Sequence, residues 1–122
     1  MNDQIKKEGP HTGGFLLSEG SGTISRATAT VTGGAYLPGQ VLGRISASNR
    51  YTALNPTATD GSQKATAILY GPVDASAADR AATLIVRQGE VIADALIWPD
   101  GMGEDQKNIA IDQLAQRMLL VR

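Results

Sequence analysis

The sequence predicts a mainly β, α+β domain, with short strands, one short C-terminal helix and a flexible N-terminal arm. Three observations predict it. The apolar runs are brief and are closed by pairs of Gly, Pro, Asn or Asp. Gly, Ala and Thr do much of the filling, with 14 Gly against one Trp, three Tyr and one Phe, which suits close strand packing better than a helical bundle. One stretch, beginning near Glu104, repeats apolar residues at helical spacing. At 122 residues the chain fits a single domain. A domain of this size buries roughly two thirds of its unfolded surface, enough for one core without metals or crosslinks. We divide it into an arm over residues 1–14 and a β-rich domain over residues 15–122.

The arm is polar, mixed in charge and punctuated by Gly9, Pro10, Gly13 and Gly14. Ile5 is its one large aliphatic residue after Met1, too little to order the segment by burial. Phe15-Leu16-Leu17 is the first apolar cluster, either a short strand against the domain's own core or an anchor for a partner. Gly20-Ser21-Gly22 reads as a joint. Thr23 to Thr32 reads as a strand closed by Gly33-Gly34. Tyr36-Leu37-Pro38-Gly39 is a turn with Pro at its corner, and Gln40 to Ile45 follows as a strand. Gly43 within that strand predicts a bulge or a close backbone approach.

Arg50 to Leu54 is another short extended piece, after which Asn55-Pro56 opens a loop. Asp60-Gly61 turns the chain into Lys64 to Tyr70. That strand sets Ala65, Ala67 and Leu69 on one face and Thr66, Ile68 and Tyr70 on the other, so both faces are expected to be buried. Gly71-Pro72 stops it. Asp74 to Ala82 has helical propensity without an apolar anchor and reads as a loop or a single helical turn. Thr83 to Arg87 is a strand, Gln88-Gly89 a turn, and Glu90 to Trp98 a longer strand ended by Pro99, with Asp94 facing solvent or a donor. In the helix, Ile111, Leu114, Ala115 and Met118 form one stripe, which predicts that acidic substitution of Leu114 and Met118 prevents folding. Glu104 and Asp105 sit at its positive end and Arg117 near its negative end. Leu119 to Val121 closes the chain as a strand.

The chemistry-bearing residues are sparse. Eleven basic residues against 12 acidic give a net charge of −1, and only Lys6-Lys7 stand adjacent, so nucleic-acid binding is not expected. No apolar run approaches the roughly 20 residues that span a bilayer, and no membrane role is expected. The absence of Cys fits synthesis in a reducing cytoplasm, and the first residues lack a secretory pattern. His11 is the single His and lies in the arm, a poor place for a catalytic base or a metal ligand. The carboxylates are scattered over turns and strand ends, and no phosphate-binding Gly loop is present. We therefore expect no enzyme, no catalytic residue, no cofactor and no metal. The rival is a glycan- or receptor-binding module, for which Tyr36, Tyr51 and Tyr70 are the stacking candidates.

Phe15-Leu16-Leu17-Ser18-Glu19, Ile24-Ser25-Arg26, Leu37-Pro38-Gly39-Gln40-Val41-Leu42-Gly43, Thr59-Asp60-Gly61 with Ala67-Ile68-Leu69, and Ala95-Leu96-Ile97-Trp98-Pro99 occur in the order and spacing of a known family. Residues 15–122 resemble the lambda-type bacteriophage head decoration proteins. The resemblance implies a β-clip domain forming homotrimers at three-fold sites on the outside of the expanded virion head. There it holds the major capsid protein lattice against the pressure of packaged DNA. It also implies an arm that contacts coat subunits. The predicted capsid-binding residues are Ile5, Pro10, His11, Phe15, Leu16 and Leu17.

Overall fold

A computed structural model describes residues 11–20 and 24–122 of the chain. Among the described residues the chain forms ten strands, β1 to β10 in chain order, and one α-helix, α1, so it is mainly β as predicted. Strands β2 (Arg26–Val31), β5 (Arg50–Ala53), β4 (Val41–Ile45), β6 (Ala65–Leu69) and β8 (Arg80–Ile85) close into a barrel in that spatial order. Most of the barrel is antiparallel, with the longest pairing between β2 and β8, from Arg26–Ile85 to Val31–Arg80. Closure is thin. β2 meets β5 in parallel at Val31–Tyr51, supported by the Thr32 amide donating to the Tyr51 carbonyl at 2.8 Å.

Two further layers lean on the barrel. β1 (Leu16–Glu19), β9 (Gly89–Val91) and β10 (Leu119–Val121) form a three-stranded sheet. β3 (Ala35–Tyr36) and β7 (Val73–Asp74) form a two-stranded ribbon. The barrel encloses Val31, Leu42, Ala67, Leu69, Leu84 and Val86. On the opposite face of β4, β6 and β8, Val41, Ile68 and Ile85 meet Phe15, Leu96, Leu114 and Leu119. Every residue of β6 is buried, as its two apolar faces require.

One expected face assignment changes. Ala65 packs with Ile68 on the outer side and not with Ala67. The β4–β6 register slips between Leu42–Ala67 and Gly43–Ala65, so Thr66 is the extra residue of a bulge and donates its hydroxyl to the Leu42 carbonyl at 3.4 Å. Gly43 is where the sequence predicts a close approach. A Cβ there would overlap the Ser62 carbonyl and lie 2.7 Å from its Cα. The Pro38-Gly39 turn also forms, with the Gln40 amide bonded to the Leu37 carbonyl at 3.1 Å and Gly39 at φ +96°.

Three expectations are corrected. Of Asp74 to Ala82, expected as a loop or a single helical turn, residues 75–79 are a loop, but Arg80 to Ala82 belong to β8, where Arg80 pairs with Val31. Pairing with a distant strand overrides the helical propensity of its alanines. Glu90 to Trp98 is not one strand either. β9 ends at Val91 and a 3-10 turn over Ala93–Ala95 redirects the chain, leaving Asp94 exposed and burying Leu96. Ile97 then pairs with Gln40. Finally, α1 (Glu104–Ala115) buries Ala110 and Leu114, whereas Met118 is 60% exposed and lies beyond the helix at φ +62°. The helical stripe breaks because the chain reverses through a left-handed residue there to start β10.

Candidate functional site

The N-terminal root of the domain runs from His11 to Glu19. Its predicted contact residues divide by direction. Ile5 and Pro10 lie outside the described residues, as do residues 1–10 generally. His11 is exposed, and its carbonyl accepts the Gly14 amide at 2.8 Å. The Gly13 amide donates to the Tyr70 carbonyl at 2.8 Å, fastening this turn to the end of β6. Gly13 adopts φ +66°, and a Cβ there would stand 2.8 Å from the Tyr70 ring, so the position needs glycine.

Phe15 points inward and is 2% exposed, packed in the outer core. Its carbonyl accepts the Ile92 amide at 2.7 Å. Of the two readings of Phe15-Leu16-Leu17, own-core packing thus describes Phe15. Leu16 is half-buried against that core, and Leu17 is 53% exposed. A bulge causes the split: Leu16 pairs with Val91 and Ser18 with Glu90, so Leu17 is the additional residue and turns out of the sheet.

Charged groups brace this root. The Arg26 guanidinium donates to both Glu19 carboxylate oxygens, at 2.9 and 2.7 Å, and lies 4.2 Å from the Tyr70 ring centre. That pairing holds Glu19 below the ordinary carboxylate range and raises Arg26 above its ordinary value. Glu90, which receives Arg122 at 3.0 Å and the Ser18 hydroxyl at 3.2 Å, is likewise lowered. The fully buried Ser25 hydroxyl accepts the Gly20 amide and donates to the Gln88 carbonyl, both at 2.7 Å. Its burial is therefore satisfied. Ile24, 46% exposed and lying over Gly20, is a further outward apolar side chain near this root. Sequence reasoning missed it, because a β-branched residue at the head of a strand reads as core.

Asp60 and Asp74 are also held below the ordinary carboxylate range, Asp60 by the Ser62 hydroxyl and amide and Asp74 by those of Ser76. Among the described residues no three His, Cys, Asp or Glu side chains gather as a metal site. Nor, among them, is any helix long and apolar enough to cross a membrane. The tyrosines are engaged internally. Tyr36 and Tyr51 pack against the barrel core, Tyr70 against the outer one, and the Tyr36 hydroxyl lies 3.2 Å from that of Thr52.

The model of one protein family, bacteriophage lambda head decoration protein D, matches residues 5–119. The chain belongs to that family. It is thus a phage head decoration protein, a structural component of the virion capsid and not a member of a known enzyme family. The match begins at Ile5 and takes in Pro10 and His11, whereas the motif resemblance begins at Phe15. A comparison with curated proteins gave no match.

Proposed function

We propose that this decoration protein is a cement subunit. It binds the outer surface of the expanded head as a homotrimer at three-fold sites and stabilises the shell against the pressure of packaged DNA. Its partners are the major capsid protein and two further copies of itself, and it is made in the host cytoplasm. The family match over residues 5–119 carries this reading. In it the N-terminal segment makes the capsid contact, with Ile5, Pro10, His11, Leu16 and Leu17 facing coat subunits. Phe15 acts as the internal anchor that sets their position. Exposure of Leu17 beside the buried Phe15 supports that division of labour.

The physics is that of multivalent attachment. A trimer on a matching three-fold site makes equivalent contacts together, so modest single-site affinities combine through effective concentration. Binding to the expanded shell and not to its precursor stabilises the expanded state by mass action. The decisive test mixes the full chain with expanded, undecorated capsids and counts bound copies by co-sedimentation. Saturation at three copies per three-fold site, with greater capsid survival on heating, supports cementing. No binding by correctly folded protein refutes it. Deleting residues 1–10 leaves the His11–Phe15 anchor in place, so the truncated chain should fold yet lose most attachment. Unchanged attachment would rule out the arm as the contact.

A further inference from the structure

Although the basic residues are scattered in sequence, the fold gathers three of them. Arg44 on β4, Lys64 just before β6 and Arg117 just after α1 line one open cavity of about 410 Å³. Lys64 and Arg117 also line an adjoining cavity of about 390 Å³. The contrast with other basic groups is direct. Arg26, Arg50 and Arg122 each hold a carboxylate within 3.0 Å. Among the described residues Lys64 and Arg117 have no side-chain hydrogen bond or ion pair, and Arg44 is bound to the neutral Asn49 side chain. The one carboxylate on the cavity wall, Asp60, is committed through one oxygen to the Ser62 amide at 3.0 Å and the Ser62 hydroxyl at 2.6 Å. Ser46 and Thr59 add hydroxyl donors at the rim. Three cations against one engaged anion leave the cavity with two uncompensated positive charges.

We propose that this cavity is a binding site for a tetrahedral oxyanion, a phosphate- or sulfate-ester group. A dianion balances the two uncompensated charges, guanidinium and ammonium donors suit phosphoryl and sulfuryl oxygens, and the volume admits a small organic group attached to the anion. The site is independent of the N-terminal root and of the capsid reading.

The test titrates the full chain, free of capsids and at constant ionic strength, with inorganic phosphate, sulfate and a sugar phosphate monoester, followed by amide NMR. Saturable shifts concentrated at Gly61, Lys64, Thr66 and Arg117 are expected. Lys64→Ala and Arg117→Ala should each weaken binding by about tenfold, while Lys107→Ala, which removes a cation elsewhere, changes nothing. Both side chains are exposed, so the variants should fold, and circular dichroism checks this. Tighter binding of the monoester than of the inorganic ions identifies an organic ester as the ligand; equal binding identifies the free anion. Shifts that do not saturate, spread over all basic residues, or persist in both Lys64→Ala and Arg117→Ala would overturn the proposal.

Discussion

Strands β4, β6 and β8 carry a core on each face, and the two cores are assembled from different parts of the chain. The barrel interior, with Val31, Leu42, Ala67, Leu69, Leu84 and Val86, comes almost wholly from the barrel strands and their immediate flanks. The outer core needs both ends of the chain, since Phe15 enters from the N-terminal side and Leu114 and Leu119 from the C-terminal side. The outer core is therefore completed only when both terminal segments dock on it. Substitutions in the outer core should loosen the termini from the barrel, and those at the shared strands should damage both.

The largest expected effect is at the helix. Leu114→Asp places a charge in the fully buried outer core and should abolish cooperative unfolding, at a cost of more than about 4 kcal/mol. Met118→Asp, at an exposed position, should change stability by less than about 0.5 kcal/mol. Urea melts of the two variants check the contrast, and an equal loss in both would restore the unbroken helical stripe. Phe15→Ala comes next, at about 3–5 kcal/mol. Leu17→Ala should leave the melt unchanged and weaken only capsid attachment. Gly43→Ala drives a methyl into the Ser62 backbone at a strand both cores share, and should cost about 2 kcal/mol or more.

Acid separates the layers more gently. Glu19 and Glu90, both in the outer sheet, titrate below the ordinary carboxylate range in the folded chain. A depressed native value means the folded state binds protons less readily than the unfolded one. Their contribution is therefore complete above about pH 4.3, the ordinary Glu value, and is lost as pH falls through the lower native values. Melting temperature should fall across that window, and Glu19→Gln should flatten the slope; an unchanged slope would show that the Arg26 pair carries none of it. Met118→Gly relieves a left-handed side-chain residue and should stabilise by up to about 1 kcal/mol in the same melts.

Much of this was legible in the sequence because it rests on local rules. Pro38-Gly39 makes its turn, Gly43 marks its close approach, and the two apolar faces of β6 are both buried. What stayed hidden depends on distant partners. Arg80 to Ala82 reads as a loop or a single helical turn until β2 lies beside it, and nothing in Ile92 to Ala95 announces a 3-10 turn in the manner of a Gly or Pro. Leu17 faces outward because of a bulge that only pairing with β9 creates. The cations of the cavity come from three elements separated in sequence, so charge counting along the chain passes over them. Of the predicted contact residues, the direction of Phe15, Leu16 and Leu17 was the part that alternation alone could not settle.

The tie between Gly13 and Tyr70 also has a mechanical meaning. Tension applied to the chain ahead of His11 enters the domain at that hydrogen bond and at the Phe15 side chain. Both lead straight to β6, whose residues are all buried and which is flanked by β4 and β8. A pull would therefore have to draw an aromatic plug out of the core before it could unzip β1 from the sheet edge. The domain is thus loaded at the end of a strand that is buried along its whole length, as a fastening under strain should be.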